Sequence, residues 1–448
     1  MGWRTRKRYT KLAASPRQSL HWYVYLWLRL EWRRPLIPHT HQAVAKIVDD
    51  GHFSYNTRVA DHLPRDITDF LVEPATVHLM QYVTVKMLVS HTSGLSQHGF
   101  PGYAGDLPTA GDILAGRAPA NTPRVHFNSF PGAQLSYSGG GFLVLQLFLE
   151  QVMGTPFPQI MHEVVLKPLG MLRSHYGALS SGEHNYAKAH YTAYTEAAAV
   201  HHRFVELAAA GLWTTPTDLL KAIGAIQQSL HTATGGFLRP ETAKQMLTKV
   251  PQSDDNASMA LGWGADGSVF AHAGDNDPGF NCYAFGSHGG VVNASQDMSG
   301  LRLPPGNGLV VMTSSVLGFA AVQRILSAVF YLKGWSRFRS LPCFYGKDHY
   351  VPYAAPEGAV VDDNWRYWRG GWEGGWRIVD DGGPKLLFDE FPPMALRPAA
   401  APTRVGGELQ EHFFVVEGLE TAVRLTWKGE ERVVELLQCE GARTLKRL

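Results

Sequence analysis

Cysteine is nearly missing from this 448-residue chain, which holds only Cys282, Cys343 and Cys439. An odd, widely spread set of three supplies neither a disulfide framework nor the spacing of a metal knuckle. The pairs His39/His41 and His201/His202 lack a third ligand at usable spacing, so no metal site is expected. Charge is balanced as well: the net value is +2 over the whole chain, so no nucleic-acid partner is implied for the protein as a whole. The apolar stretch 21–28 is far short of the roughly 20 residues that span a bilayer, and Arg29 closes it, so no stable membrane insertion is expected. A secretory leader fits poorly because no small-residue cleavage site follows the basic start, which leaves the compartment open and cytoplasmic by default. Repeats of the length that builds solenoids or propellers are absent.

The composition that remains is globular, with 45% hydrophobic and 18% charged residues, and the length allows two to three domains. Residues 1–38 stand apart. They carry nine Lys/Arg against the single acid Glu31, a net +8 that leaves −6 for the rest, and four of the twelve tryptophans. No alternating strand pattern appears there. Three accounts fit this basic segment: a start assembled from the wrong coding stretch, an inactive relative with a basic arm, or a protein whose nucleophile is recruited from elsewhere.

Leu135-Ser136-Tyr137-Ser138-Gly139-Gly140-Gly141-Phe142 is the segment richest in chemistry. A tyrosine and a capping serine precede three glycines, and an apolar helical run over 142–152 follows. The glycines allow a ligand or a neighbouring backbone to come close to the helix start, whose N–H groups carry partial positive charge. A second segment, 206–219, reads as a turn into a helix with Thr215 at N-cap, Pro216 at N1 and Asp218 at N3 of a capping box. In the third, His272, Gly274 and Asp275 sit at a strand end before a turn, and strands follow at 280–285 and 309–312. Helices are expected over 157–166 and 217–230. In residues 83–95, Thr84 reads as an N-cap, a short apolar helix follows, and Gly94 is its stop.

These segments, together with 167–171 and the fainter 43–64, resemble the serine-hydrolase family of class C β-lactamases, DD-peptidases and related esterases across about residues 40–335. The resemblance implies an α+β fold: a β-lactamase/transpeptidase-like domain over 39–335, with an antiparallel sheet flanked by helices and a helical subdomain. It implies acyl transfer from an ester or amide through a serine ester, a small-molecule or peptide acyl substrate, and no organic cofactor. By motif, Tyr137 is the base phenol and His272 belongs to the strand facing it. Ser138 and Gly139 stand at the substrate contact, with Gly139 where relatives often have asparagine. Gly274 leaves room for an acyl group, and the Asp275 backbone N–H is the oxyanion donor.

The same resemblance puts a Ser-x-x-Lys pair, two side chains one helical turn apart, near residues 34–37. The chain reads Arg34-Pro35-Leu36-Ile37 there, and no serine or threonine anywhere in it is followed three residues later by lysine. A phenol with no ammonium beside it titrates near about 10, too high for a base at neutral pH. The expectation is a serine-hydrolase-like protein that is inactive as written. The alternative is a binding or regulatory protein that uses the residual cleft.

Beyond residue 335 the character changes. Residues 335–357 read as a linker, and the polar stretch 291–305 as a long surface loop or a second assembly error. Val423, Leu425 and Trp427 alternate with Arg424 and Thr426, then a turn leads into 432–437, a hairpin with one buried face. Residues 345–448 are therefore expected to form a small all-β barrel or sandwich, with Trp365, Trp368, Trp372 and Trp376 at its turns and strand starts.

Overall fold

The computed structural model describes residues 32–33, 38–64, 67, 76–96, 99–190, 202–232, 236–251, 259–276, 280–289, 305–315, 318–333, 363–373, 375–388, 393–399, 403–405, 408–416, 422–428, 431–438 and 441–448. Most of the basic start, the position of the expected nucleophile at 34–37, the stretch 291–304 and the linker lie outside these residues.

Helix α1 (Pro38–Asp49) opens the helical part, followed by α2 (Val85–Val89), α3 (Ala110–Ala115), α4 (Gly139–Met153) and α5 (Phe157–Met161). Then come α6 (Leu207–Ala210), α7 (Pro216–His231) and α8 (Pro240–Leu247). Helix α4 is buried on almost every face, with Phe142, Leu145, Phe148 and Leu149 fully inside, as its unbroken apolar run requires. It starts at Gly139, three residues before the apolar run, because Ser138 caps it and three glycines can complete the first turn. Helix α7 begins as its signals predict: Pro216 occupies the first turn and the Thr215 hydroxyl accepts the Asp218 N–H at 3.2 Å. Asp218 does not return to the cap. Its carboxylate instead accepts from Arg173 N–H and the Ser174 hydroxyl, both at 2.9 Å, and pairs with Lys221 at 2.7 Å.

A short sheet joins β1 (Trp32–Arg33), β3 (Leu212–Thr214) and β2 (His175–Tyr176) in that order, all antiparallel. Strand β1 lies in the basic segment that shows no strand pattern; two residues are too few to carry a period-two signal. The main sheet runs β4 (Gly264–Asp266), β5 (Val269–Asn276), β6 (Phe280–Ser287) and β7 (Gly308–Thr313). Alternation along β5 and β6 gives the sheet two faces. Phe270, Cys282 and Ala284 join the large core shared with the helices. Ala271, Tyr283 and Phe285 pack instead with Val322, Leu326 and Phe330 of α9 (Gly318–Leu332). His272, an even-numbered neighbour of Phe270 paired with Ala284, therefore belongs to the face turned towards α1 and α7.

The C-terminal strands are β8 (Gly370–Trp372), β9 (Trp376–Asp380), β10 (Pro384–Phe388), β11 (Met394–Pro398), β12 (Thr403–Val405), β13 (Glu408–Val416), β14 (Ala422–Lys428), β15 (Glu431–Gln438) and β16 (Gly441–Leu445). They form one antiparallel sheet ordered β16-β15-β14-β13-β11-β10-β9-β8, with β12 on β13. A bridge between Trp372 and Arg447 brings the two ends together, with Leu448 N–H donating to Gly371 O at 3.1 Å and Glu373 N–H to Lys446 O at 2.7 Å. Closure of this kind leaves few strand edges to solvent. Trp365, Trp368 and Trp372 fill the interior beside Phe414, Leu425 and Val434. The Trp368 indole N–H donates to Val433 O at 3.1 Å, so the ring both fills space and ties the 3-10 turn Asp363–Trp368 to β15. Replacing Trp368 with alanine should cost about 3–5 kcal/mol. The loss is read as a lower urea midpoint, whereas Tyr367→Ala, at an exposed neighbouring ring, should move it little.

Candidate functional site

The start of α4 is closed by protein on all sides. Ser138 is 1% exposed; its hydroxyl accepts the Gly141 N–H at 2.8 Å and donates to Ser96 O at 3.0 Å. Both capacities of that hydroxyl are thus taken by the helix and the neighbouring loop. Gly140 lies so near that loop that a Cβ would stand 2.4 Å from Ser96 O, and a Cβ on Gly141 would meet Ser138 Oγ at 3.1 Å. The close approach that the glycines permit is therefore backbone against helix, with Gly139 also buried. Tyr137, immediately before the cap, stays partly exposed.

Below Tyr137 lies a row of imidazoles. The His91 ring stacks on the phenol ring with centroids 4.1 Å apart and planes at 26°. His41 follows at 6.5 Å, and Phe142 wedges against both rings, 5.1 Å from His91 and 4.9 Å from His41. On its other side His41 fills the space a side chain at Gly262 would need: a Cβ there would come within 1.7 Å of the ring. Gly262 also holds φ +89°, so two independent constraints select glycine beside His41. Trp263 comes next and presents its ring to His272 edge-on, 6.4 Å between centroids. Tyr137 and His272 are thus connected through His91 and His41, although they lie 135 residues apart in sequence.

The first turn of α1 supplies this row. Residues 39–42 are all polar and all buried. Each reaches a specific partner: His39 Nδ1–H donates to Gln42 Oε1 at 2.8 Å, and the Thr40 hydroxyl to Ala208 O at 2.9 Å. His41 Nε2–H donates to Val89 O and the Gln42 amide to Ala222 O, both at 2.9 Å. Three side chains thereby pin one helical turn to α2, α6 and α7, while His39 braces Gln42 within the turn. Burial pushes His272 down to about 3, reinforced by the His41 and His39 imidazoles, and pushes His39 down to about 4. Both rings are neutral at pH 7.

Strand β5 carries the other predicted residues. Gly274 pairs with Cys282 and Asp275 with Asn281 across to β6. Strand β4 pairs only with residues 269–271, so among the described residues no strand covers the second edge of β5 from His272 onward. The Asp275 side chain is outside the described residues.

Two serines near this row are not poised to attack. Ser93 is buried, and its oxygen accepts the Leu95 N–H at 3.3 Å. Ser96 lies 3.2 Å from His126 Nδ1, a pair with no signal in the sequence. That nitrogen is also 3.0 Å from Arg124 O, and a carbonyl can only accept, so Nδ1 carries a proton and cannot take one from Ser96. Gly94 stops no helix: α2 ends at Val89, and His91 takes the left-handed conformation at φ +56°. Among the described residues no group of three or more His, Cys, Asp or Glu side chains could hold a metal, and no helix is long and apolar enough to cross a membrane.

The beta-lactamase family model matches residues 38–328, and the chain belongs to that family. Penicillin-binding protein 4 of Amycolatopsis lactamdurans is 32% identical over 139 residues, which are 30% of this chain and 33% of that protein. The chain thus matches about one third of the length of this curated relative. Among solved structures, a penicillin-binding protein from Bacillus halodurans is 21% identical, with 67% of this chain and 85% of that one covered and a TM-score of 0.48. The octameric penicillin-binding protein homologue from Pyrococcus abyssi is 17% identical, covering 92% and 86%, at a TM-score of 0.49.

The buried imidazoles make stability pH-dependent in one direction. His39, His272 and the fully buried His288, which is pushed down to about 4, each titrate near 6.5 when unfolded. Between these values the unfolded chain binds more protons, so stability is full above 6.5 and is lost as pH falls towards 4 and 3. Each group contributes roughly 3–5 kcal/mol over its full range. Urea midpoints recorded from neutral pH downward should fall, and His272→Phe should flatten the slope; midpoints that rise or stay level would refute the neutral burial.

Proposed function

We propose that this beta-lactamase-family chain holds a small-molecule or peptide acyl ligand, an ester or amide, without forming a serine ester. One observation carries the reading: in 448 residues no serine or threonine has a lysine three positions on. The family's attack needs that hydroxyl and ammonium on one helical turn, and a phenol alone is a weak base at neutral pH.

The remaining parts suit binding. Tyr137 is partly exposed above its imidazole support and offers a phenol donor. The β5 edge from His272 through Gly274 to Asp275 lacks a described strand partner and can pair with an extended ligand. Gly274 leaves room for the acyl group there, whereas Gly139 is buried in the helix start and offers the ligand no side chain. Ser138 contributes by fixing the helix start, since its hydroxyl is already engaged. A regulatory protein that senses such a ligand uses the same surface.

A fluorophosphonate probe separates binding from catalysis: no covalent label is expected. Labelling of one serine, abolished by its change to alanine, would restore the chain to the active hydrolases. p-Nitrophenyl acetate should give saturation-transfer signals with no turnover beyond the buffer rate. Tyr137→Phe should weaken its binding about fivefold to tenfold, the value of one hydrogen bond.

A further inference from the structure

His91 engages three consecutive residues of the tyrosine motif through three different groups. Its carbonyl accepts the Ser136 N–H at 2.8 Å. Its ring stacks on Tyr137 at 4.1 Å. Its Nδ1 accepts the Ser138 N–H at 3.1 Å. We propose that His91 is the positioning residue for Tyr137, holding the phenol in one direction through the stacked ring and the two flanking backbone bonds. The inference rests on Tyr137 being a ligand contact.

The conformation of His91 supports this role. It has φ +56° and is the one non-glycine with positive φ among the described residues, an unfavourable state for a residue with a Cβ. Glycine at 91 would relieve that strain, but the Ser138 N–H, in a residue 1% exposed, would lose its acceptor. The strained backbone turns the ring back under residues 136–138, which a helical continuation of α2 could not do. The same turn closes α2, since the His91 N–H donates to Leu88 O at 3.3 Å and the Thr92 N–H to Met87 O at 2.9 Å, so the helix stop and the support of residues 136–138 share one conformation.

The contact also fixes the ring's chemistry. A backbone N–H can only donate, so Nδ1 must be unprotonated and the single ring proton sits on Nε2. A second proton would place two donors face to face at Ser138. The titratable groups against the ring are His41 of α1 and Tyr137 itself; Phe142 of α4 closes the remaining described face.

The test uses the full chain with His91→Asn and His91→Ala. Asparagine tolerates positive φ and can accept from the Ser138 N–H, but it has no ring to stack. Long-range imidazole 15N spectra of the unsubstituted protein should show His91 Nδ1 unprotonated at neutral pH. In His91→Asn the folded protein should persist while the Tyr137 ring resonances shift strongly, as the stacked imidazole is lost. Affinity for p-nitrophenyl acetate should fall about fivefold to tenfold, as in Tyr137→Phe, with no further loss in the double variant. A protonated Nδ1, or Tyr137 resonances unmoved in His91→Asn, would overturn the assignment. Should His91→Asn fail to fold, the nitrogen spectrum of the unsubstituted protein still decides. If the ester fails to bind the unsubstituted protein, the proposed ligand is wrong, whereas the Tyr137 resonances still judge His91.

Discussion

The site depends on the burial of imidazoles between α1, α2 and β5, of which His39 and His272 are held neutral by desolvation. Charged rings at these positions would have to leave water with little to compensate them, a cost of several kcal/mol or more for each. The rings here serve as flat, hydrogen-bonding packing units. His41 uses one nitrogen to hold Val89 and its faces to fill the gap left by Gly262; His91 uses one nitrogen to hold Ser138 and a face to carry Tyr137. The row thereby links the start of α4 to the sheet edge, and the two candidate ligand-binding elements share one support.

The same arrangement does not depend on a Ser-x-x-Lys spacing, which occurs nowhere in the chain. The support is built from backbone contacts and rings set one turn into α1 and in the loop after α2, all within the matched residues 38–328. None of it requires the serine or lysine that the family places ahead of α1. The absence of that spacing is therefore compatible with an intact core. The C-terminal sheet has a separate tryptophan-filled interior drawn from residues 365–445, beyond the family match.

Much of this was legible in the sequence where the cause is local. Thr84, Thr215 and Ser138 cap helices as their neighbours predict, because capping is decided within four residues. The β5–β6 pairing and the hairpin of β14 and β15 follow from alternation and turn residues. Closure of the C-terminal sheet was anticipated only as a barrel or sandwich, since the Trp372–Arg447 bridge joins residues 75 apart. The imidazole row could not be read at all. His39 and His41 looked like an incomplete metal pair, and the tertiary contacts that place His41 and His91 lie 45 to 221 residues away. Gly94 misled because the left-handed stop of α2 falls on a histidine, His91, three residues earlier, where glycine is the usual signal. Asp218 likewise left its expected cap for Arg173 and Ser174, partners that no local pattern contains, and for Lys221 one turn along its own helix.

The most direct test of the buried neutral row is the protonation of its rings, followed one by one in imidazole 15N–1H spectra from about pH 8 to about pH 5, a range that spans the ordinary histidine titration. The account predicts that His39 and His272 keep the spectrum of neutral rings throughout. If His39 and His272 titrate together with the exposed rings, they stand in water, and the shared support beneath Tyr137 and β5 does not exist.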